Sequence, residues 1–122
     1  MTASPASVKI KTPAKINLLL HIKGKRSDGY HEIVTVMQAV DLFDELLIEK
    51  ADNLELICTS PDVPSDEKNL VYKAAVKLRE FTGIKDGARI NLKKNIPVAA
   101  GLGGGSSDAA AALSGLNRLL GL

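Results

Sequence analysis

The feature that most constrains this chain is a glycine-rich segment near its C-terminal end, PVAAGLGGGSS at residues 97–107. The segment lies between an apolar, strand-like stretch and an alanine-rich stretch with helical spacing. Glycine lets backbone N–H groups approach an anion closely, and the first turn of a helix adds unpaired N–H donors and the positive end of its dipole. The segment therefore predicts a cradle for a phosphate group.

Three familiar motifs do not fit this segment. No lysine follows the glycines as a P-loop requires, and a dinucleotide fingerprint begun at Gly101 would need glycine where Ser106 stands. A serine nucleophile elbow begun at Gly104 would end in Asp108. The alternative explanation is a flexible linker or a close crossing of helix over strand, but linkers rarely separate an apolar strand from an alanine-rich helix.

Alternating apolar residues predict several β-strands. They are expected over residues 14–22, 31–40, 45–49, 54–59 and 88–92. A turn is expected at Asp41–Asp44, and a hairpin at residues 51–53 would join the third and fourth strands. Residues 1–12 are expected to form a flexible lead-in, and residues 13–122 a single, incomplete domain.

Helical spacing of apolar residues predicts two helices. The first covers Asn69–Thr82 and ends at Gly83, and the second is capped by Ser106 or Ser107 and ends at Gly121. The expected apolar stripe of the second helix is Ala109, Ala112, Leu113, Leu116 and Leu120. Strands outnumber helices without a regular βαβ alternation, so the predicted fold class is α+β.

The composition narrows the classes of function. A net charge of +2 and an aromatic content of 3% disfavour a nucleic-acid partner. One cysteine and two histidines leave no basis for an intrachain disulfide or a cysteine-based zinc site, so no metal ligands are assigned. The apolar runs are too short for a membrane span and no signal peptide is evident, so we expect a cytoplasmic protein without a membrane partner.

Three motifs together resemble the GHMP kinases, a family of ATP-dependent small-molecule kinases. The glycine-rich segment is similar to the family's central motif, and PAKINL (residues 13–18) with DGYH (residues 28–31) is similar to one branch, whose substrate contains cytidine. The resemblance covers Thr12 to Leu122. It implies the family's N-terminal α+β domain, of the ribosomal protein S5 domain 2 type, with ATP and Mg²⁺ as cofactors and a small-molecule substrate.

The resemblance implies a catalytic and a substrate side. Lys15 matches the family's catalytic lysine, which would offset charge on the transferred phosphoryl group, and Asn17 would hold a substrate hydroxyl. Tyr30 and His31 match positions that recognise the cytosine by stacking and hydrogen bonding. Without the resemblance, a solvated strand lysine, a strand-edge amide and a packed tyrosine beside a surface histidine would account for these residues.

The resemblance also implies a nucleotide side. Asn69 stands in a family-like NLV segment and Lys94 matches a lysine near the nucleotide; the alternatives are a helix N-cap and a solvated loop charge. Asp108 is interpreted as compensation of the helix dipole. The implied nucleotide-binding residues are Asn69, Lys94, Pro97, Val98, Ala99, Ala100, Gly101, Leu102, Gly103, Gly104, Gly105, Ser106 and Ser107.

The family's catalytic aspartate, in an Asp-Val-Pro-like segment, would fall beyond Leu122. We therefore expect an N-terminal fragment that does not turn over substrate by itself. Three alternatives stay open from the sequence: another GHMP small-molecule kinase, a non-catalytic nucleotide-binding module, and a nucleic-acid-binding domain of similar fold, which the composition disfavours.

Overall fold

The computed structural model of the chain describes residues 5–98 and 103–122. Its elements in chain order are β1 (Ser7–Lys25), β2 (His31–Ala51), β3 (Glu55–Cys58), α1 (Leu70–Thr82), β4 (Gly87–Lys93) and α2 (Gly104–Leu120). The strands form a sheet in the order β1-β2-β4-β3, in which the β3–β4 pair is parallel and the β1–β2 and β2–β4 pairs are antiparallel. Helix α2 packs against β1, β2 and α1. The predicted α+β class is confirmed.

Strands β1 and β2 form a hairpin that is longer than the sequence predicted. β1 begins at Ser7, so residues 7–12 belong to the sheet and not to a flexible lead-in. The reason is an alternation that the prediction overlooked, because Val8 and Thr12 are buried while Lys9 and Lys11 between them are exposed.

The turn predicted at Asp41–Asp44 is also wrong. β2 continues through these residues, with an irregularity in its pairing to β1 between Ala39 and Phe43, and Asp44 pairs with Thr12 of β1. Acidic residues are typical of turns, but Asp44 lies on the inward face that it shares with the fully buried Leu46 and Ile48. Its carboxylate is satisfied there by hydrogen bonds, which is why the strand tolerates it.

The predicted hairpin at residues 51–53 is wrong because β2 and β3 do not pair. β4 lies between them, antiparallel to β2 and parallel to β3. The chain passes from β3 through α1 to reach β4, which is the crossover that a parallel pair requires. Local alternation identifies a strand but not its neighbour, so the prediction joined the two strands that are adjacent in sequence.

Both helices end where the sequence predicted. Asn69 caps α1, and Gly83 and Gly121 end α1 and α2 in the left-handed conformation, with φ of 73° and 67°. The start of α2 differs from the prediction. Its N-cap is Gly103, at φ 70°, and not Ser106 or Ser107, which lie inside the helix.

The core lies between α2 and the sheet. The buried face of α2 comprises Gly104, Asp108, Ala111, Ala112, Gly115, Leu116 and Leu119. The predicted stripe is rotated from this face, and its Leu113 is 41% exposed, because the glycines and the aspartate on the true face carry no apolar signal. Neither helix in the described ranges has the length and apolar character needed to cross a membrane.

Candidate functional site

A cavity of about 310 Å³ lies at the N-terminal end of α2. The first helical hydrogen bond joins the N–H of Ser107 to the carbonyl of Gly103, so the N–H groups of Gly104, Gly105 and Ser106 are not used within the helix. These donors and the positive end of the helix dipole face an anion-sized space. The lining residues are Val63, Pro64, Lys68, Asn69, Leu70, Leu92, Lys94, Pro97, Val98, Gly103, Gly104, Gly105, Ser106 and Asp108.

Two glycines make room for two lysines at this helix end. A Cβ on Gly103 would lie 2.8 Å from Cε of Lys15, and the positive φ of Gly103 would itself strain any other residue. A Cβ on Gly104 would lie 2.9 Å from Ile96 Cγ2 and 3.1 Å from Lys94 Nζ. The glycines therefore let the side chains of Lys15 and Lys94 approach the backbone at the start of α2.

Lys94 is held between two buried carboxylates. Its ammonium group donates to Asp44 Oδ2 at 2.6 Å and to Asp108 Oδ2 at 3.0 Å, and its side chain is only 7% exposed. The alternative of a solvated loop charge is therefore wrong. Burial opposes the charged form, but the two carboxylates hold the pKa of Lys94 above its ordinary value, so the group is an ammonium.

Asp44 anchors the segment that follows β4. Its Oδ1 accepts hydrogen bonds from the N–H groups of Asn95 at 2.7 Å and Ile96 at 2.8 Å, in addition to the bond from Lys94. Burial acts against ionisation, but Asp108, these N–H groups and Lys94 together hold the pKa of Asp44 below its ordinary value. The sequence prediction missed Asp44. The signal that could have revealed it is its position two residues before Leu46, which puts both side chains on the same face of the strand.

Asp108 is the second residue whose role the sequence prediction missed. It lies beyond the first turn of α2, and it is 1% exposed, so its interpretation as dipole compensation is wrong. Burial, and after it the neighbouring Asp44, raise the pKa of Asp108 to about 7 against the opposing effect of Lys94. Its Oδ1 has no hydrogen-bond partner within residues 5–98 and 103–122. Asp108 follows Gly104 by four residues and therefore lies on the same face of the helix, and this spacing was the available signal of its burial.

Strand β1 is tied to the first turn of α2. Ser107 donates to the carbonyl of Pro13 at 3.1 Å and shares a hydrogen bond with the Thr12 hydroxyl. Its hydroxyl is therefore engaged by β1, and Ser107 does not line the cavity, unlike Ser106. This contact places the Lys15 side chain beside Gly103.

Asn69 lines the cavity and also caps α1. Its side-chain oxygen accepts from the N–H of Val71, and its amide nitrogen donates to the carbonyl of Pro64, both at 2.8 Å. The N-cap alternative is thus confirmed, and a nucleotide-binding role stays a prediction. Within the described ranges, no three acidic, histidine or cysteine side chains are grouped as for a metal ion.

The expected substrate residues lie apart from the cavity. Asn17 is exposed, and its side-chain oxygen lies 3.4 Å from the Thr35 hydroxyl, which donates to the Leu19 carbonyl at 2.8 Å. Tyr30 and His31 are exposed at the far end of the β1–β2 hairpin, about 30 Å along the strand from Lys15 at the usual rise per residue. Residues 99–102 of the glycine-rich segment (Ala99, Ala100, Gly101 and Leu102) lie outside the described residues.

The chain is similar to known proteins along most of its length. Residues 69–122 match the family model described as the N-terminal domain of GHMP kinases. The chain is 54% identical to the 4-diphosphocytidyl-2-C-methyl-D-erythritol kinase of Caldicellulosiruptor bescii over 92% of its length, which is 40% of that relative. It is 53% identical to the enzyme of the same name from Clostridium perfringens, with the same coverage. The chain thus spans about two fifths of the length of these curated relatives.

Solved structures show the same similarity. A crystal structure of 4-(cytidine 5'-diphospho)-2C-methyl-D-erythritol kinase superposes with a TM-score of 0.78 at 42% identity, covering 92% of this chain and 40% of that one. Homoserine kinase from Cytophaga hutchinsonii superposes with a TM-score of 0.73 at 27% identity, covering 99% and 38%. The chain therefore has the fold of part of a GHMP kinase N-terminal domain and is similar, over almost its whole length, to the N-terminal part of 4-diphosphocytidyl-2-C-methyl-D-erythritol kinases.

Proposed function

We propose that the chain is the ATP-binding part of a kinase that transfers the γ-phosphoryl group of MgATP to the 2-hydroxyl of 4-diphosphocytidyl-2-C-methyl-D-erythritol, in the non-mevalonate isoprenoid pathway. The observation that carries the proposal is the first turn of α2, whose residues line the cavity together with Lys94, while the Lys15 side chain lies against Gly103 at the start of the helix. The identity of 54% with kinases of that name supports the choice of substrate.

The cavity fits a nucleotide in two parts. Its lining includes the residues of the α2 first turn with their N–H groups, the Ser106 hydroxyl and Lys68, and these groups suit the phosphates. Its apolar walls, which include Pro64, Leu70 and Val98, suit a flat base. A Cβ at Gly103 or Gly104 would collide with neighbouring side chains, so the cradle depends on both glycines. The nucleotide-binding roles inferred for residues 97–107 belong to this proposal.

Lys15 is the residue that we propose for the chemistry. Phosphoryl transfer depends mainly on positioning and on stabilising charge that develops on the transferred group. The ammonium of a lysine beside the first turn of α2 would offset that charge, and the contact with Gly103 holds the Lys15 stem there. Asp44 and Asp108 are both bonded to Lys94, so we propose neither as the base.

Mg²⁺ would enter with ATP and neutralise charge on its phosphate oxygens. Of the described residues at the cradle, the exposed Ser106 hydroxyl is the one that we propose as a ligand for it.

On the substrate side, Asn17 would hold a hydroxyl, and Tyr30 with His31 would bind the cytosine. We place the protein in the cytoplasm, with a small-molecule substrate, and the nucleotide-binding domain in residues 7–122.

The test uses a chimera in which this chain replaces the matching N-terminal part of the Caldicellulosiruptor bescii kinase. ADP release is followed with MgATP and the cytidine substrate. Lys15→Met should lower kcat by about 10²–10³-fold, as for loss of a group that stabilises transition-state charge, with little change in KM for ATP. Lys11→Met, on the same strand with a side chain 64% exposed, is the matched control and should leave both constants unchanged.

Two results would contradict this assignment. A near-normal kcat in Lys15→Met would remove Lys15 from the chemistry. Tight MgATP binding by the chimera without any turnover would favour the non-catalytic nucleotide-binding module over the kinase.

A further inference from the structure

Two hydroxyl groups join strand β1 to the first turn of α2, close to Lys15. Thr12 is 4% exposed, and its hydroxyl is hydrogen-bonded to that of Ser107. Ser107 in turn donates to the Pro13 carbonyl at 3.1 Å. A hydroxyl carries one proton, so with the proton of Ser107 given to Pro13, Thr12 is the donor in its bond with Ser107. These two bonds, the Thr12–Ser107–Pro13 bridge, connect segments that are 94 to 95 residues apart in sequence.

Thr12 stands where an apolar residue would serve the core equally well. Valine has nearly the shape of threonine and is favoured in strands. Val8 fills the position four residues earlier on the same buried face of β1. A buried hydroxyl lowers the stability of a fold unless it is hydrogen-bonded. The choice of threonine over valine therefore points to the bond with Ser107 as the use of this position.

The pairing of β1 with β2 is irregular at the same point. Pro13 pairs with Phe43 of β2, and two residues later Lys15 pairs with a residue four positions earlier, Ala39. Proline has no N–H to donate to a neighbouring strand, and a bulge re-aims the side chains beside it. Beyond Lys15, the side chains of residues 16–19 are exposed. Because the ladder is irregular where Lys15 leaves it, the contact of β1 with α2 contributes to fixing its side chain.

The bridge directs the Ser107 hydroxyl away from its own helix. A serine inside a helix can turn its hydroxyl back to the carbonyl four residues earlier, which for Ser107 is that of Gly103. The proton donated by Thr12 occupies one lone pair of the Ser107 oxygen and leaves the Ser107 proton directed at Pro13. Lys15 follows Pro13 by two residues, and its Cε would lie 2.8 Å from a Cβ on Gly103. The bridge therefore ends at the strand segment that carries Lys15 to α2.

We propose that Thr12 is a positioning residue, which acts through Ser107 to hold the Lys15 side chain at the start of α2. The inference rests on the proposed function, in which Lys15 offsets charge on the transferred phosphoryl group. Thr12 does not line the cavity that the described residues form, so its effect on the reaction passes through Lys15. A misplacement of about 1 Å at a reacting group can lower a rate by about 10²-fold, so a small shift of β1 is enough to matter.

The kinetic test uses the chimera described above and follows ADP release. Thr12→Val should lower kcat by about tenfold with little change in KM for ATP, since a displaced Lys15 loses interactions made in the transition state. Thr12→Ser keeps the hydroxyl and should retain most of the wild-type kcat. Val8→Ala removes apolar volume from the same face of β1 and is the control for a purely structural effect. It should lower the urea midpoint of unfolding but not kcat.

A double-variant cycle separates positioning from a general effect on the fold. In the Lys15→Met chimera, Thr12→Val should lower kcat no further, because the side chain that Thr12 positions has been removed. An equal fall of kcat in both backgrounds, or an unchanged kcat in Thr12→Val, would overturn the proposal. A wild-type chimera without turnover would refute the proposed function, and the position of Lys15 would then be decided by a measurement on the chain itself.

That measurement is an NMR experiment on the 122-residue chain. The Cε protons of Lys15 should show a nuclear Overhauser effect to the Cα protons of Gly103, which should be retained in Thr12→Ser and Val8→Ala. The effect should be lost in Thr12→Val and in Ser107→Ala. Ser107→Ala covers a Thr12 variant that fails to fold, since alanine is the best helix former and should leave α2 intact. An effect that persists in either variant, or that is absent from the wild type, would overturn the inference and leave the nucleotide site of the proposed function standing.

Discussion

Asp44→Ala is the substitution that we expect to damage the fold and the site together. Asp44 is 0% exposed, and its carboxylate accepts the Lys94 ammonium and the N–H groups of Asn95 and Ile96. Alanine would leave the two backbone donors without their acceptor in the interior, and it would leave the Lys94 ammonium with Asp108 as its remaining carboxylate. The segment after β4, which carries Lys94 to the site, would lose its anchor on β2.

The cost follows from the groups left unpaired. Removing one partner of a buried ion pair costs about 3–5 kcal/mol, and a buried unsatisfied N–H group costs about 1–3 kcal/mol. The ion-pair figure is an upper bound because Asp108 still pairs with Lys94, and the costs overlap because the freed segment can move toward water. We therefore expect the free energy of unfolding to fall by about 4–6 kcal/mol. A domain of this size has about 5–15 kcal/mol of stability, so Asp44→Ala should be marginally stable or unfolded.

Urea unfolding of the chain followed by circular dichroism measures this loss. Asp41→Ala removes the same charge from an exposed position of β2 and should stay within about 0.5 kcal/mol of the wild type. The pKa of Asp44 is lowered by folding, so its contribution is present above its ordinary pKa and is lost as pH falls through the folded value. A loss below about 1 kcal/mol at pH 7 for Asp44→Ala would refute the anchoring role.

Three further predictions concern packing, pH and specificity. Gly115→Ala should cost about 1–3 kcal/mol in urea unfolding because the new Cβ overlaps Ile48 Cδ1, whereas exposed Ser114→Ala should not destabilise the chain. Folding raises the pKa of Asp108 to about 7, so its contribution to stability is lost as pH rises. The free energy of unfolding of the wild type should therefore fall by about 2–3 kcal/mol from pH 5 to pH 8, relative to that of Asp108→Asn. Parallel pH profiles of the two proteins would contradict this. In the chimera, Tyr30→Ala should raise KM for the cytidine substrate more than KM for ATP, since loss of one base stack costs about 1–3 kcal/mol, and equal changes would make Tyr30 a packing residue.

The parts of the site that the sequence predicted correctly depend on local chemistry. The cap of α1 by Asn69 and the ends of the two helices at Gly83 and Gly121 are encoded within a few residues. The α+β class likewise follows from short-range periodicity. The proximity of Lys15 to the glycines was implied by resemblance to a family and not by its own surroundings in sequence, because the two are far apart along the chain.

The parts that were missed depend on long-range contacts. Asp44 and Lys94 are separated by 50 residues and Lys94 and Asp108 by 14, so no local pattern reveals that one ammonium group serves both carboxylates. The insertion of β4 between β2 and β3 has the same origin, since strand periodicity carries no information about the partner. Acidic residues are usually exposed, which is why both aspartates were predicted at a surface turn and at a helix end.

Burying the charges of Asp44, Lys94 and Asp108 in the interior lowers the stability of the fold, and this loss indicates what the cluster does. Apolar residues of similar volume often replace a buried ion pair without loss of stability, and Asp108 keeps its place only with a pKa displaced to about 7. What apolar residues could not do is hold a cation, 7% exposed, beside the first turn of α2. Asp44 fixes the backbone that carries Lys94, Asp108 fixes the other side of the ammonium, and Gly104 leaves the space that it occupies. The stability lost to these charges is therefore best explained by the position of Lys94 at the phosphate site that we propose.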